Sequence, residues 1–395
     1  MRVREVFIVS AARTAVGSLL GSLSTVPSPE LGAIVLKEAL HRGNVAPEFV
    51  DEVVMGCALQ AGLGQGVARQ AAVKAGLPIT TPAWSISQVC GSGLKSVATA
   101  ASCIKAGDAE CMVAGGMENM SAAPHAANFV RTVHKMGPVE MIDTMVWDGL
   151  TDVFSGKHMG LTAEAIAEKY GLSRLDLDTF AAGSQAKALK AIAEGNFVEE
   201  IVPVAVPQRK GEPLIFKVDE HPRAGSTVEV LSKLRPAFKP DGVVTAGNAS
   251  GCNDGAAAVV LASGEFVEEH NLKPMAKVVS YATTALDPWY MGLGPIEASR
   301  KALSKAHWNN EDLELVELNE AFASQALACL KELKFNTEIV NVSGGAVALG
   351  HPIGASGARI LTTLLYGLKR LHRKRGLATL CVGGGMGVAM TVEMV

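Results

Sequence analysis

Aromatic side chains and net charge are both scarce in this chain. Phe, Trp and Tyr together make up 5% of 395 residues, and 36 Lys and Arg against 39 Asp and Glu leave a formal charge of −3. With no basic field to draw in phosphates and few ring faces for bases to stack on, a nucleic-acid partner is not expected. No apolar run reaches membrane-spanning length, so no membrane partner is expected either. Cys57, Cys90, Cys103, Cys111, Cys252, Cys329 and Cys381 are odd in number and form no CxxC pair. Zinc-ligand spacing is therefore absent and a disulfide framework is disfavoured, which predicts a reducing compartment and no metal. The apolar stretch Val6-Phe7-Ile8-Val9 is too short for the core of a signal peptide, and Arg13 ends the apolar run, so a buried first strand is expected. Val392-Glu393-Met394-Val395 is not a peroxisomal tripeptide. The expected location is the cytoplasm. Gly reaches 41 residues, but without the every-third-residue period of collagen.

A hydrophobic share of 48% with 19% charged residues is a globular composition, and the length implies two or three domains. Four short segments recur in the same order. Val9-Ser10-Ala11-Ala12-Arg13-Thr14 resembles Val279-Ser280-Tyr281-Ala282-Thr283-Thr284. Lys37-Glu38-Ala39-Leu40 with Pro47-Glu48-Phe49-Val50 resembles Arg300-Lys301-Ala302-Leu303 with Asn310-Glu311-Asp312-Leu313. Ser92-Gly93-Leu94-Lys95 resembles Ser356-Gly357-Ala358-Arg359, and Val113-Ala114-Gly115-Gly116-Met117 resembles Val382-Gly383-Gly384-Gly385-Met386. The order argues for duplication, with residues 1–120 and roughly 273–395 as copies of one strand–helix unit. Apolar runs of strand length alternate with helix-period segments, an α/β signature. Residues 43–54 and 108–116 read as buried strands that end in glycine turns, and 162–194 as helical. The stretch 121–245 has no counterpart in the repeat and reads as an insertion.

Four places carry chemistry. Gln88-Val89-Cys90-Gly91-Ser92-Gly93 predicts a turn that sets Cys90 at a helix N-terminus, where N–H groups lower a thiol pKa; a small buried residue in a tight turn is the bland alternative. Gly350-His351-Pro352 projects a histidine from a rigid turn at the repeat-mate of the Cys90 turn. If the halves are related by a pseudo-twofold axis, the two turns face each other and a Cys–His pair results. The alternative is a helix-capping histidine. Leu380-Cys381-Val382-Gly383-Gly384-Gly385 reads as a strand end whose glycine N–H groups suit an oxyanion, with Cys381 beside it as a second thiol or as a buried strand cysteine. Asn319-Glu320-Ala321-Phe322 offers an amide before a helix, or a helix cap.

Taken together, these residues resemble the thiolase family over essentially the whole chain. The resemblance includes Arg13-Thr14, Gly64-Gln65-Gly66-Val67-Ala68-Arg69-Gln70 and Val89-Cys90-Gly91-Ser92-Gly93. It continues through Gly247-Asn248-Ala249-Ser250-Gly251-Cys252-Asn253-Asp254-Gly255, Asn319-Glu320-Ala321-Phe322, Gly350-His351-Pro352 and Cys381-Val382-Gly383-Gly384-Gly385. It implies a five-layered αβαβα core of two duplicated halves with an inserted loop domain. Residues 1–120 plus about 246–272 would form the N-terminal half, 121–245 the loop domain for CoA binding and oligomer contacts, and 273–395 the C-terminal half. It also implies carbon–carbon bond formation or cleavage between acyl-CoA thioesters. In that scheme Cys90 is the nucleophile, His351 activates it, and Cys381 moves the α-proton. Asn319 holds a water that with His351 binds one oxyanion, and the N–H groups of Cys90 and Gly383 bind the other. CoA contacts map to Leu150, His158, Met159, Arg223, Phe238, Ala246, Ala249 and Ser250. Acetyl-CoA, acetoacetyl-CoA and CoA are then substrates, with no cofactor or metal, in a homodimer or homotetramer.

The chain departs from the family pattern at Ser87, at Gly66-Val67 and at Val230, positions that in the family often hold Asn, Asn-Pro and Ser. None removes a reacting group. His158-Met159 and Met291-Gly292-Leu293-Gly294-Pro295 favour a short-chain acetyl-CoA acetyltransferase of the biosynthetic type. The alternatives are a degradative 3-ketoacyl-CoA thiolase acting on longer chains and, further off, a non-catalytic acyl-CoA-binding paralogue. A decarboxylating condensing enzyme would need histidine where Cys381 stands.

Overall fold

The computed structural model describes residues 4–128, 130–132 and 135–395. Its first half is built from β1 (Val6–Thr14), α1 (Ser28–Gly43), β2 (Glu52–Gly56), α2 (Val67–Lys74), β3 (Ala83–Ile86), α3 (Ser92–Ala106), β4 (Cys111–Asn119) and, from beyond the insertion, β5 (Asn253–Ser263). The insertion contributes α4 (Met159–Tyr170) and α5 (Arg174–Ala193). The second half runs β6 (Ala276–Ala285), α6 (Gly294–Ala306), β7 (Leu315–Leu318), α7 (Ala323–Leu333), α8 (Ile353–Arg370), β8 (Arg375–Val382) and β9 (Met386–Met394).

The strands of the first half lie in the order β3-β2-β4-β5-β1 and those of the second in the order β7-β8-β9-β6. Only Phe7–Lys277 and Ile8–Ala276 pair across β1 and β6, so the halves meet edge to edge over two residues. Three hydrophobic clusters define the layers. One lies between α1, α2 and the outer face of the first half, one between the inner faces around α3 and α8, and one on α6 and α7 against the second half. This is the expected αβαβα sandwich. Strands covered on both faces read as continuous apolar runs, as β4 and β5 do.

The duplication is visible at single hydrogen bonds. Ser10 Oγ donates to Ala39 O and Ser280 Oγ to Ala302 O, both at 2.6 Å. Pairing shifts register between Ile8 and Ser10 and again between Val278 and Ser280. α1 and α6 both end on a left-handed residue, Asn44 and His307. The fourth sequence match needs correction. The β2–β4 ladder sets Val53 beside Val113, and the β7–β8 ladder sets Val316 beside Leu377. With Val50 opposite Leu313, Met117 corresponds to Cys381, not to Met386. Glycine composition misled the alignment: Gly384 and Gly385 form the turn between β8 and β9, whereas Gly115 and Gly116 lie inside β4. The expected glycine turn at 116 is therefore a strand interior. A Cβ at Gly115 would collide with the Ala257 carbonyl oxygen, and one at Gly116 with that of Gly354 at the start of α8.

The helical stretch expected over 162–194 is two helices, broken where Gly171 turns left-handed at φ 62°. α5 restarts on a capping box formed by Ser173 and Asp176. Arg13, inside β1, is fully buried. Its Nε donates to Glu200 at 2.5 Å, and its two Nη atoms donate to Asp219 at 2.7 and 2.9 Å, which ties the insertion to the first half.

Candidate active site

The chain enters the Cys90 turn from β3 and leaves it as α3. Val89 takes φ 45°, a strained value for a β-branched residue. The turn is held by Ser92, whose hydroxyl donates to Val89 O at 2.7 Å and accepts Gln88 N–H at 2.8 Å. Cys90 sits two residues before the helix and is buried. Burial pushes its thiol up to about 11, although the N–H groups of Gly383 and Cys90 itself point at the sulfur and pull the other way; the Glu118 carboxylate raises it further. The expected lowering by the helix terminus is thus outweighed by desolvation. The thiol needs a base.

That base stands across the pseudo-twofold axis. A Cβ on Gly93 would meet Ala358 N at 2.8 Å, and one on Gly357 would meet Leu94 Cβ at 2.7 Å. The absence of side chains lets α3 and α8 touch backbone to backbone, and the two turns that precede them converge. His351 is buried, with Nδ1 2.6 Å from Ser356 Oγ, and that hydroxyl lies 2.9 Å from Pro352 O. A hydroxyl has one hydrogen; given to Pro352 O, it leaves Ser356 Oγ to accept from Nδ1–H and keeps Nε2 as the free base. The imidazole does not cap α8, whose cap position is Pro352. Burial, helped by the positive charge of Arg359, pulls His351 down to about 3, so it is neutral near pH 7. Its backbone N–H is fixed by Asn253 Oδ1 at 2.9 Å.

Asn319 follows β7, with Nδ2 3.5 Å from His351 Nε2. Its Oδ1 is buried and, among the described residues, has no partner, an acceptor that a water would satisfy. Neither Asn319 nor Glu320 caps α7, which starts on Phe322 without a side-chain cap. Glu320 instead receives Ser184 Oγ at 2.7 Å, Asn341 Nδ2 at 2.8 Å and Val347 N at 3.2 Å, pinning the motif to its surroundings. Cys381 is the penultimate residue of β8, fully buried among Met159, Met291 and Ala321. Burial, then the neighbouring Cys90, pushes its thiol well above the ordinary value. Glu118 of β4 is buried and raised by burial to about 7. It accepts N–H from Ala58, Leu59 and Gly354 and so braces the start of α8.

A cavity of about 410 Å³ brings these groups together. Cys90, His351 and Cys381 line it, as do Leu150, His158, Met159, Arg223, Phe238, Ala246, Ala249 and Ser250. Asn319 and Gly383 stand just behind its wall, Asn319 against His351 and Gly383 with its N–H on Cys90. His158 caps α4, its Nδ1 accepting Gly160 N–H at 3.0 Å, and its ring stacks on Phe238 at 4.7 Å. Arg223 is exposed, and among the described residues its side chain forms no ion pair. Sequence reasoning missed His221, Met120, Cys252, Met291 and Ile353 as lining residues. Met291 and Cys252 stood in segments already singled out, and Ile353 opens α8 directly after the His351 turn; His221 and Met120 come from connections whose spacing carries no signal. Among the described residues, no three His, Cys, Asp or Glu side chains gather to hold a metal ion, and no helix is long and apolar enough to cross a membrane.

Residues 6–265 match the family described as thiolase, N-terminal domain, and 272–394 the thiolase, C-terminal domain. Among curated proteins, an acetyl-CoA acetyltransferase of Cupriavidus necator is 58% identical over 98% of this chain and 99% of its own. One from Pseudomonas aeruginosa is 56% identical with the same coverage. The solved acetyl-CoA acetyltransferase of Bacillus anthracis matches with a TM-score of 0.97 at 44% identity, covering 100% of this chain and 99% of the other. That of Syntrophomonas wolfei matches at 0.98 and 40%, covering both chains fully.

Proposed function

The chain belongs to the thiolase family, and on that premise we propose that its cavity condenses two acetyl-CoA into acetoacetyl-CoA and CoA, and runs the thiolysis in reverse. The observation that carries this reading is the meeting of Cys90, His351 and Cys381 in one cavity from three distant parts of the chain.

In the first half-reaction His351 Nε2 takes the Cys90 proton as the sulfur attacks the thioester carbonyl. The C–S bond to CoA breaks, and the departing sulfur takes the proton back from His351. The N–H groups of Cys90 and Gly383 face the oxyanion formed on the way. A second acetyl-CoA then loses an α-proton to the Cys381 thiolate, whose own proton has passed to His351. The enolate oxygen is held by His351 and by the water on Asn319. Its carbon attacks the acetyl group on Cys90, and the released Cys90 sulfur recovers the proton from His351. Each step moves a proton or an acyl group and none is an oxidation or a reduction, so the chemistry calls for no cofactor. Oxyanion donors of this kind are typically worth about 100- to 1000-fold each.

Ser250, Ala246, Ala249, Phe238, Leu150, His158 and Met159 form the passage for the pantetheine arm in this reading, with Arg223 at the nucleotide end. We take 121–245 as the loop domain that carries most of it. The working form is a homodimer or homotetramer, supported by β3 lying at the sheet edge and by exposed Ile79, Met136, Met141 and Phe154. A reducing cytoplasm would keep Cys90 and Cys381 as thiols.

The test is intact-protein mass after brief exposure to acetyl-CoA. An acetyl adduct on the parent and on Cys381→Ser, but absent from Cys90→Ser, supports the scheme; an unmodified parent that still binds CoA overturns it. Faster turnover of long-chain 3-ketoacyl-CoA than of acetoacetyl-CoA would move the assignment to a degradative thiolase.

A further inference from the structure

One histidine of the cavity wall takes no part in the chemistry of acetyl transfer. His221 lines the cavity, and among the described residues neither of its ring nitrogens has a hydrogen-bond partner. Its backbone is nevertheless anchored on both sides. Asp219 clamps Arg13 and accepts Val16 N–H at 2.7 Å. Glu220 donates its N–H to Val16 O at 3.2 Å and accepts from Ser18 N and Ser22 Oγ, both at 2.7 Å. Beyond Pro222, Arg223 N–H donates to Gln185 Oε1 at 2.9 Å. Room for the ring comes from Gly251, where a Cβ would collide with His221 Cε1 and stand 2.9 Å from Nε2. A rigidly carried polar ring, given space by a glycine and without an internal partner, is arranged for a ligand.

The ligand class is set by its neighbours. Gly251 adjoins Ser250, and Arg223 lies two residues further along the chain from His221; in the CoA reading, which sets Ser250 on the pantetheine arm and Arg223 at its nucleotide end, the ring falls to the stretch of arm between them. Resting on the CoA reading of the cavity, we propose that His221 is a further binding residue, which hydrogen-bonds the outer of the two amides in the pantetheine arm. An amide offers one donor and one acceptor, as does an uncharged imidazole. Burial, with the Arg223 charge adding, pulls His221 down to about 4, so the ring is uncharged near pH 7.

The experiment compares His221→Phe with the parent in thiolysis of three acetoacetyl thioesters. Those of CoA and of pantetheine carry both amides; that of N-acetylcysteamine carries only the inner one. The expected result is a KM raised about three- to tenfold for the first two, the worth of one hydrogen bond, with the deficit gone for the third. His221→Gln, which keeps a donor and an acceptor, should recover most of the affinity and stands in if the Phe variant does not fold. An unchanged KM for the CoA thioester, or an equal rise for all three, overturns the proposal. A parent that turns over none of the thioesters would instead overturn the CoA reading, so the two failures are distinguishable.

Discussion

Ser356 Oγ sits 2.6 Å from His351 Nδ1 and 2.9 Å from Pro352 O, so one hydroxyl sets which imidazole nitrogen faces the cavity. The arrangement is local to the first turns of α8: the hydroxyl and the carbonyl are four residues apart, the spacing at which a helix brings them together. The tautomer of the base is therefore decided inside one helix, independently of the substrate.

Ser356→Ala should lower the rate of acetyl transfer by roughly 10- to 100-fold, the worth of a hydrogen bond that becomes charged when His351 accepts a proton. KM for acetyl-CoA should change little, since Ser356 lies behind the imidazole. Steady-state kinetics with the acetyl adduct as a second readout decides it. An unaltered kcat would show that Nδ1 needs no partner.

A buried Cys90 at about 11 is almost entirely thiol in the free enzyme. Alkylation by iodoacetamide follows the thiolate, so its rate should climb roughly tenfold per pH unit from about 7 to about 10 without levelling. Mass spectrometry of the alkylated peptide gives the rate at this site alone. A plateau near neutral pH would mean that the turn stabilises the thiolate more than burial opposes it.

Gly357→Ala tests the contact between the halves. The new methyl group would run into the Leu94 backbone at the crossing of α3 and α8. Overpacking of this kind costs about 1–3 kcal/mol, and because both catalytic turns hang from these helices, activity should fall further than stability. Urea denaturation alongside turnover measures both. Full activity with a lowered melting temperature would separate the crossing from the site.

Stability should fall as pH rises from about 6.5 to about 8. Burial holds Glu317 at about 8 and Glu118 at about 7, so the folded protein keeps protons there that the unfolded chain has already lost. His351 at about 3 and His221 at about 4 act in the opposite sense, their folded forms binding fewer protons, but that contribution is complete once pH passes the unfolded value near 6.5. Melting temperatures across this interval should decline in the parent and decline less in Glu317→Gln. Parallel curves for the two proteins would remove Glu317 from the account.

Much of the fold was legible without coordinates. Alternating apolar and helix-period segments announced α/β layering, and Ser10 with Ala39 against Ser280 with Ala302 marked the duplication at the atoms that later proved to bond alike. The Cys90 turn, the His351 turn and the glycines after Cys381 could each be named from local residue types. Strand register was less accessible, because it depends on which residues face each other across a ladder. The shared glycines drew Met117 toward Met386, when the ladders set it against Cys381.

By itself, the amino-acid order determined the local turns, the helix starts and the repeated unit, since these depend on neighbours within a few positions. Tertiary structure alone decided that Gly93 and Gly357 touch and that Asn319 reaches His351. Only there did the Cys90 thiol prove to be raised rather than lowered, and His221 to be left, among the described residues, without a hydrogen-bond partner in the cavity wall. Burial and charge at a site are sums over groups far apart in the chain, and that sum exists only once the chain has closed on itself.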